Sequence, residues 1–218
     1  TFISTKGAET MAPESAWADF VRTINPGDVL YVDGYLMDHP ANREAAEAAL
    51  RALPEGVRVI LDVSPVIGIP DGLPPTTLIS MSTSEAAILW RDADRKAIDV
   101  RSWLPAEDAP IAMATLLRRD VVVRAGKDGA YFTRYTDSAK LSSTYIPSLS
   151  VEAIDTNGAG DAHTGVLAAS LAQGTSMERA LVLANCAGAL ASTTVGPATC
   201  PQRPQIETAA DALAKQED

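Results

Sequence analysis

The chain has 218 residues, 46% of them hydrophobic, which is enough to bury one large core, so we expect a single domain over residues 1–218. It carries 18 Lys and Arg residues against 28 Asp and Glu residues, a formal net charge of -10, and no segment clusters its basic residues. Because phosphate-backbone binding requires local positive charge, this composition argues against nucleic acid as a partner.

Strand-like runs alternate with helical runs along the first part of the chain. Residues 28–36, DVLYVDGYL, favour a strand, and residues 40–53 follow with Pro at a helix start and Ala and Leu at helical spacing. Residues 57–63, VRVILDV, form a continuous apolar run of the kind that is buried on both faces of a parallel sheet. These three segments together predict one strand–helix–strand unit.

The rest of the chain continues in this order. After a Pro- and Gly-rich loop, further strands are predicted at residues 77–81, 120–126 and 129–133, and further helices at 82–90, 159–174, 176–192 and 205–215. Repeated strand-then-helix order predicts a layered α/β fold with a mostly parallel sheet.

The sequence favours a reduced, cytoplasmic setting without a membrane span. The two cysteines, Cys186 and Cys200, are too few for a disulfide framework, and no charged region followed by an apolar run opens the chain. An apolar stretch of about 18 residues without a charge or a helix breaker would indicate a membrane span, and we find none.

The stretch EAIDTNGAGDAHTG, residues 152–165, places small residues and an acid at the start of a long predicted helix. Gly158, Ala159 and Gly160 have almost no side-chain bulk, so a ligand can approach their N–H groups, and the first turn of a helix has unpaired donors that bind anions. Asp161 follows in that turn, where the helix dipole favours its ionised form.

An anion hole beside an ionised carboxylate suits a reaction in which an alcohol attacks a phosphoryl group. The amides would hold the developing charge while the acid takes the hydroxyl proton. The alternative interpretation is that these residues only cap the helix, since Gly and Asp are common at helix starts.

Two familiar nucleotide-binding motifs do not match the sequence. In the dinucleotide fingerprint G-x-G-x-x-G, the position of the third Gly is occupied here by His163. A P-loop requires Ser or Thr after its Gly-Lys pair, but the Gly-Lys pair at 126–127 is followed by Asp128. Both NAD-dependent enzymes and P-loop ATPases therefore lose support.

The run DTNGAGD, residues 155–161, followed by a helix of small residues, resembles the C-terminal signature of the ribokinase-like, or PfkB, carbohydrate kinase family. VVVRAGKDGAYF, residues 121–132, is similar to the family's strand and turn, and residues 184–201 to its adenine-side helix and following loop. This resemblance covers essentially the whole chain. It implies a three-layer α/β/α core and ATP-dependent phosphorylation of a hydroxyl group on a sugar or sugar acid, with magnesium.

The resemblance implies a role for each residue of the signature. Asp161 would be the base that activates the acceptor hydroxyl, and Gly158, Ala159 and Gly160 would be the anion hole. His163 stands where the family more often has Phe. Because it lies two helix positions beyond Asp161, we expect it to point away from that carboxylate and to serve in packing or on the substrate side.

The resemblance also implies a nucleotide site. Gly126 and Gly129 would lie along the nucleotide, with Arg124 at a position where the family often has Thr. Asn185 matches a position near the adenine, and an equally good interpretation is a polar residue that bridges structural elements.

Two further positions match cation-binding positions of the family. Asp155 corresponds to the ligand of a monovalent cation such as K⁺, which backbone carbonyls near Asn157, Ala191, Thr194 and Gly196 would also hold. Cys200 stands where a hydroxyl residue often completes that site.

Glu85 corresponds to an acid linked to the magnesium–phosphate network, whereas Ser82 replaces the usual Asn. The run STSE at 82–85 also fits a capping box, which explains it without a metal.

The family's N-terminal portion, with an early Gly-Gly signature and a small β lid, has no counterpart in this sequence, and residues 1–9 resemble a strand from the middle of such a chain. We therefore expect the C-terminal two-thirds of the family fold, with the lid region absent. The resemblance gives only weak support for a homodimer. Two alternatives stay open, a nucleoside kinase of the same family and a non-catalytic ATP-binding regulatory relative.

Overall fold

A computed structural model describes residues 14–66, 68–94, 105–137 and 140–215, so the strand-like segment at residues 1–9 lies outside the described residues. The strands in these ranges are β1 (Val29–Asp33), β2 (Arg58–Asp62), β3 (Leu78–Ser82), β4 (Asp120–Arg124), β5 (Ala130–Thr133) and β6 (Thr144–Ile146). The helices are α1 (Glu14–Val21), α2 (Pro40–Arg51), α3 (Thr83–Asp94), α4 (Ala109–Leu117), α5 (Ala159–Ala172), α6 (Met177–Ala191) and α7 (Arg203–Ala214).

The six strands form one sheet whose spatial order follows the chain, from β1 to β6. The first four strands are parallel, and β5 and β6 add to the sheet in antiparallel orientation. The predicted mostly parallel α/β sheet is therefore confirmed. A hairpin-like turn between β4 and β5 replaces the helical crossover that parallel neighbours require, and this explains the change of direction.

Helices cover both faces of the sheet. On one face, the sheet packs against α2, α3 and α4. The strand residues on this face are Val59, Leu61, Ile79, Met81, Val121 and Val123. On the other face, Ile60, Leu78, Val122 and Phe132 pack against Leu167 and Leu171 of α5 and Leu181 of α6. Successive residues of one strand thus serve two cores, as strand geometry requires, and the three-layer architecture is confirmed.

The structure differs from the sequence prediction in a few short segments. The strand predicted at 28–36 ends at Asp33, whose carboxylate accepts a hydrogen bond from the Leu36 N–H (3.0 Å) and starts a 3₁₀ turn over Gly34–Met37. The last helix begins at Arg203 rather than at residue 205. The elements α1, α4 and β6 were not predicted: each has nine residues or fewer, and α4 is apolar nearly all round and so lacks a polar face.

The parallel strands bring polar residues to one edge of the sheet. Asp33, Asp62, Ser82 and Arg124 are the last residues of β1, β2, β3 and β4, so they all lie at the carboxyl edge. In open α/β sheets this edge is where ligands bind. Among the described helices, none is both long and apolar enough to cross a bilayer.

We expect Leu167→Ala to destabilise the fold strongly. Leu167 is fully buried between α5 and the sheet, so its truncation leaves a cavity, and the free energy of unfolding should fall by about 2–5 kcal/mol. Urea unfolding measures the change. Leu116→Ala is the matched control, since Leu116 is 39% exposed, and a comparable loss in that variant would contradict the assigned core.

Candidate active site

The first turn of α5 lies at the carboxyl edge of the sheet. Its N-cap, Gly158, has a left-handed backbone with φ of 80°, and a Cβ there would overlap the carbonyl oxygen of Pro197. The Ala159 N–H donates to the Thr156 carbonyl (3.2 Å). Within the described residues, the N–H groups of Gly160 and Asp161 have no backbone partner. Of the predicted anion hole, Gly160 is thus available to a ligand, whereas the Ala159 amide is engaged in the turn.

The Asp161 side chain is exposed at this helix start, where a ligand can reach it. The hydroxyl of Tyr31 on β1 lies in the same acidic surroundings. Burial raises the pKa of Tyr31 above its ordinary value, and the negative charges of Asp62, Asp33 and Asp161 raise it further. Tyr31 therefore stays protonated in neutral solution.

A network around Arg124 lies directly below the start of α5. The Nη1 atom of Arg124 donates to Oδ2 of Asp62 (2.5 Å), Oγ of Ser80 (2.8 Å) and Oγ1 of Thr164 (2.9 Å). The Thr164 hydroxyl in turn donates to Oδ2 of Asp62 (2.9 Å). The Nη2 atom lies farther from its acceptors, at 3.4 Å from Oδ1 of Asp62 and 3.5 Å from Oε2 of Glu85.

Strand alternation explains why these side chains meet. Asp62, Ser80 and Arg124 lie two residues beyond Ile60, Leu78 and Val122, the residues that face α5 and α6, so they continue the same face to the edge of the sheet. Thr164 lies one helical turn after Gly160 and therefore faces the same way. Sequence reasoning missed Asp62, Ser80 and Thr164, although the two-residue period of the strands carried the signal for the first two.

The electrostatics of the network keep Arg124 charged. Burial alone would lower the pKa of the guanidinium, but the charge and hydrogen bond of Asp62, with the charge of Glu85, raise it above its ordinary value. A Cβ atom at Gly160 would lie 3.9 Å from Cζ and Nη2 of Arg124. The Arg124 guanidinium, paired with the carboxylates of Asp62 and Glu85, thus lies close to Gly160 in the first turn of α5.

The predicted capping box at the start of α3 is confirmed. The Ser82 N–H donates to Oε2 of Glu85 (2.6 Å), and the Glu85 N–H donates to Oγ of Ser82 (3.2 Å). The same Glu85 oxygen faces Arg124, so Glu85 serves both the cap and the network. In the part of the chain that the structure describes, no three His, Cys, Asp or Glu residues are grouped to hold a metal ion.

The turn between β4 and β5 contains the two predicted nucleotide-contacting glycines. Gly126 is exposed with φ of 62°, and Gly129 has φ of 84°. A Cβ at Gly129 would overlap the Ile146 carbonyl oxygen, so packing against β6 already requires this glycine. The nucleotide contact of both stays a prediction.

Asn185 is buried on α6 and bridges two elements. Its Nδ2 donates to the carbonyls of Ile146 (3.0 Å) and Pro147 (2.9 Å). The bridging interpretation is therefore confirmed, and the contact with adenine stays a prediction. Arg124, which was also predicted to lie at the nucleotide, extends its side chain into the network below α5.

The predicted monovalent-cation position lies in the loop that supports the start of α5. The carboxylate of Asp155 accepts from the N–H groups of Asn157 (3.0 Å) and Gly196 (2.9 Å), and these bonds lower the pKa of Asp155. The carbonyls of Ala191 and Gly196 converge on one point, since both accept from the Thr199 hydroxyl (2.9 and 3.3 Å). The hydroxyl at this point thus belongs to Thr199, which sequence analysis did not single out, and not to the neighbouring residue Cys200.

His163 is buried on the side of α5 that faces α6, and its Cβ lies 3.6 Å from the position a Cβ at Gly188 would take. Neither ring nitrogen has a hydrogen-bond partner among the described residues. The expected packing role is confirmed. Burial lowers its pKa from 6.5 to about 3, and the Arg124 charge acts in the same direction. The negative charge of Asp62 opposes this shift without offsetting it.

Comparison with known proteins gives a consistent result. The sequence pattern of the pfkB family of carbohydrate kinases matches residues 1–204. The uncharacterized sugar kinase YegV of Escherichia coli strain K12 is 32% identical over an alignment of 208 residues, which covers 90% of this chain and 57% of that protein.

Solved structures share the fold. The ribokinase of Thermotoga maritima superposes with a TM-score of 0.67 at 22% identity, covering 84% of this chain and 57% of that one. The fructokinase of Vibrio cholerae, determined with fructose, ADP and calcium, gives a TM-score of 0.64 at 22% identity, covering 86% of this chain and 62% of that one. This chain therefore spans less than two-thirds of the length of these relatives.

Gly158→Ala should disturb the start of α5. The left-handed backbone alone costs a non-glycine residue about 1–2 kcal/mol, and the overlap with Pro197 adds to this. Urea unfolding should therefore show a loss of at least that size. Gly165→Ala is the control, because Gly165 lies within α5 with open space around its Cβ position, and alanine there should be neutral or stabilising. Equal stability of both variants would contradict the assigned turn.

His163 should make stability depend on pH in mildly acidic solution. As the pH falls below about 6.5, the unfolded chain takes up a proton that the folded protein accepts only near pH 3. The free energy of unfolding should therefore decrease by about 1.4 kcal/mol per pH unit on this account. Urea titrations between pH 7 and pH 5 measure the slope, which should be shallower in His163→Gln. An unchanged slope in that variant would show that His163 titrates normally.

Proposed function

Since this chain belongs to the pfkB family of carbohydrate kinases, we propose that it forms the catalytic core of an ATP-dependent kinase that phosphorylates a hydroxyl group of a sugar or sugar acid. The observation that carries the proposal is the start of α5, where the exposed Asp161 carboxylate stands beside the free N–H groups of Gly160 and Asp161. This is the pairing of a base with anion-binding donors that phosphoryl transfer to an alcohol requires.

The proposed reaction is a direct transfer between two oxygens. Asp161 accepts the proton of the acceptor hydroxyl while that oxygen bonds to the γ-phosphorus of ATP. The bond from this phosphorus to the bridging oxygen breaks, and ADP leaves with the electron pair. The amides at Gly158–Gly160 hold the negative charge on the transferred group, with the amide of Gly160 best placed because the Ala159 N–H is engaged.

The remaining predicted residues serve binding in this proposal. Gly126 and Gly129 would lie along the nucleotide, Asn185 would lie beside the adenine, and Arg124 would face the γ-phosphate, which passes to the acceptor. Magnesium bound with ATP would neutralise phosphate charge, and Glu85 would act on it through water, since one of its oxygens is engaged by Ser82 and Arg124.

Asp155 would support a monovalent cation such as K⁺. The convergent carbonyls of Ala191 and Gly196 are the kind of donors such a cation takes, and the low pKa of Asp155 keeps its carboxylate ionised. A cation there would act on the reaction by holding the loop behind Gly158.

Asp161→Asn should reduce turnover by about 10²-fold or more, because the variant loses the general base. The measurement is ADP release by the full-length protein with ATP and magnesium, over a panel of ketoses, aldoses, sugar acids and nucleosides. Asp211→Asn is the matched control, since Asp211 pairs with Arg179 on the surface between α6 and α7, and it should keep wild-type turnover.

The panel also separates the alternatives. If nucleosides alone stimulate ADP release, the protein is a nucleoside kinase and not a sugar kinase. ATP binding without ADP release for any acceptor would favour a non-catalytic regulatory protein. An Asn variant as active as the wild type would show that Asp161 is not the base.

A further inference from the structure

The two terminal nitrogens of Arg124 have different surroundings. Nη1 has three acceptors within 2.9 Å, in Asp62, Ser80 and Thr164, which exceeds its two N–H groups. Nη2 has only two contacts, of 3.4 and 3.5 Å, with Asp62 and Glu85. The guanidinium is thus held by one nitrogen, while the donors of the other are only weakly engaged.

The weakly engaged nitrogen is the one beside the start of α5. Nη2 and Cζ lie 3.9 Å from the position that a Cβ of Gly160 would occupy. The side chain of Arg124 is 14% exposed, so a group that enters at this helix start can touch it. A ligand bound against Gly160 would therefore also lie near this guanidinium.

Resting on the function proposed above, we propose that Arg124 is a catalytic residue that donates through Nη2 to the transferred phosphoryl group, and that Asp62 is its positioning residue. The guanidinium stands between the carboxylates of Asp62 and Glu85, where its fixed charge faces the anion hole. During transfer, negative charge on the phosphoryl oxygens is stabilised by a donor that has no need to move.

A purely structural ion pair explains the arrangement less well. Buried pairs are often replaceable by apolar residues without loss of stability, so burial alone gives little reason for four polar partners at one arginine. The network instead fixes the guanidinium plane. Asp62 contacts both terminal nitrogens, and Ser80 and Thr164 hold Nη1 from the sheet and from α5. Such a planar fork suits a phosphoryl group better than the point charge of a lysine.

The experiment compares three variants of the full-length protein. Arg124→Lys keeps the charge and loses the fork. Arg124→Gln combined with Asp62→Asn removes both members of the buried ion pair, and Asp62→Asn alone keeps the arginine. Arg179→Gln is the control, because Arg179 pairs with Asp211 away from the site. Each protein is measured well below its own Tm, so that loss of folding is separated from loss of turnover.

Two readouts test the contact. We expect kcat to fall about 10²-fold or more in both Arg124 variants, with the KM for ATP changed by less than about threefold. Calorimetry should show unchanged affinity for ADP and a loss of similar size in affinity for ADP with aluminium fluoride, which mimics the group in transfer. Asp62→Asn should lower kcat by less than the Arg124 variants and leave ADP affinity unchanged.

The outcomes separate this proposal from the proposed function. Wild-type kcat in Arg124→Lys and in the double variant, with Asp161→Asn inactive, would overturn the role of Arg124 and leave the kinase intact. Equal losses of affinity for ADP and for its aluminium fluoride complex would place Arg124 on the bound nucleotide and overturn the proposal. If the wild type releases no ADP with any acceptor, the proposed kinase function is wrong. If aluminium fluoride also fails to tighten ADP binding, the proposed role of Arg124 is wrong as well.

Discussion

The interaction on which the site depends is the ion pair between Arg124 and Asp62. It joins the ends of β2 and β4, and the Thr164 hydroxyl joins the pair to α5, since it accepts from the arginine and donates to the aspartate. A charged group this deeply buried must be matched by an opposite charge and hydrogen bonds. The pair therefore constrains how close α5 can lie to the carboxyl edge of the sheet.

The alternation that builds the two cores also delivers this network. In β2 and β4, Ile60 and Val122 pack under α5 and α6, and the next residues on that face are Asp62 and Arg124. Apolar side chains thus fill the layer in the middle of the sheet, and buried polar ones replace them at its carboxyl edge. The position of the Arg124 network follows from the strand period and the strand ends.

The sequence allowed prediction of the long elements and of the glycine-rich helix start, because periodicity and small residues are local signals. The capping box of Ser82 and Glu85 was predictable for the same reason. The partners of Arg124 were not, since residues 57–63 were interpreted as one apolar run and Asp62 was not singled out. Contacts between residues 62, 124 and 164 arise from tertiary packing, which no spacing within one segment specifies. The role of Asp161 as the base and the place of Asn185 beside the adenine stay predictions.

The start of α5 is held from two sides. From below, the network of Arg124 binds Thr164, and from behind, the loop after α6 packs its Pro197 carbonyl against Gly158 while Asp155 binds the Gly196 N–H. The free amide of Gly160 lies between these supports, so its direction is fixed before any ligand arrives. Fixed donors avoid the reorganisation that a flexible loop would require as charge develops. A change in either support should therefore alter the geometry of the amides and of Asp161 together, because both belong to the same helical turn.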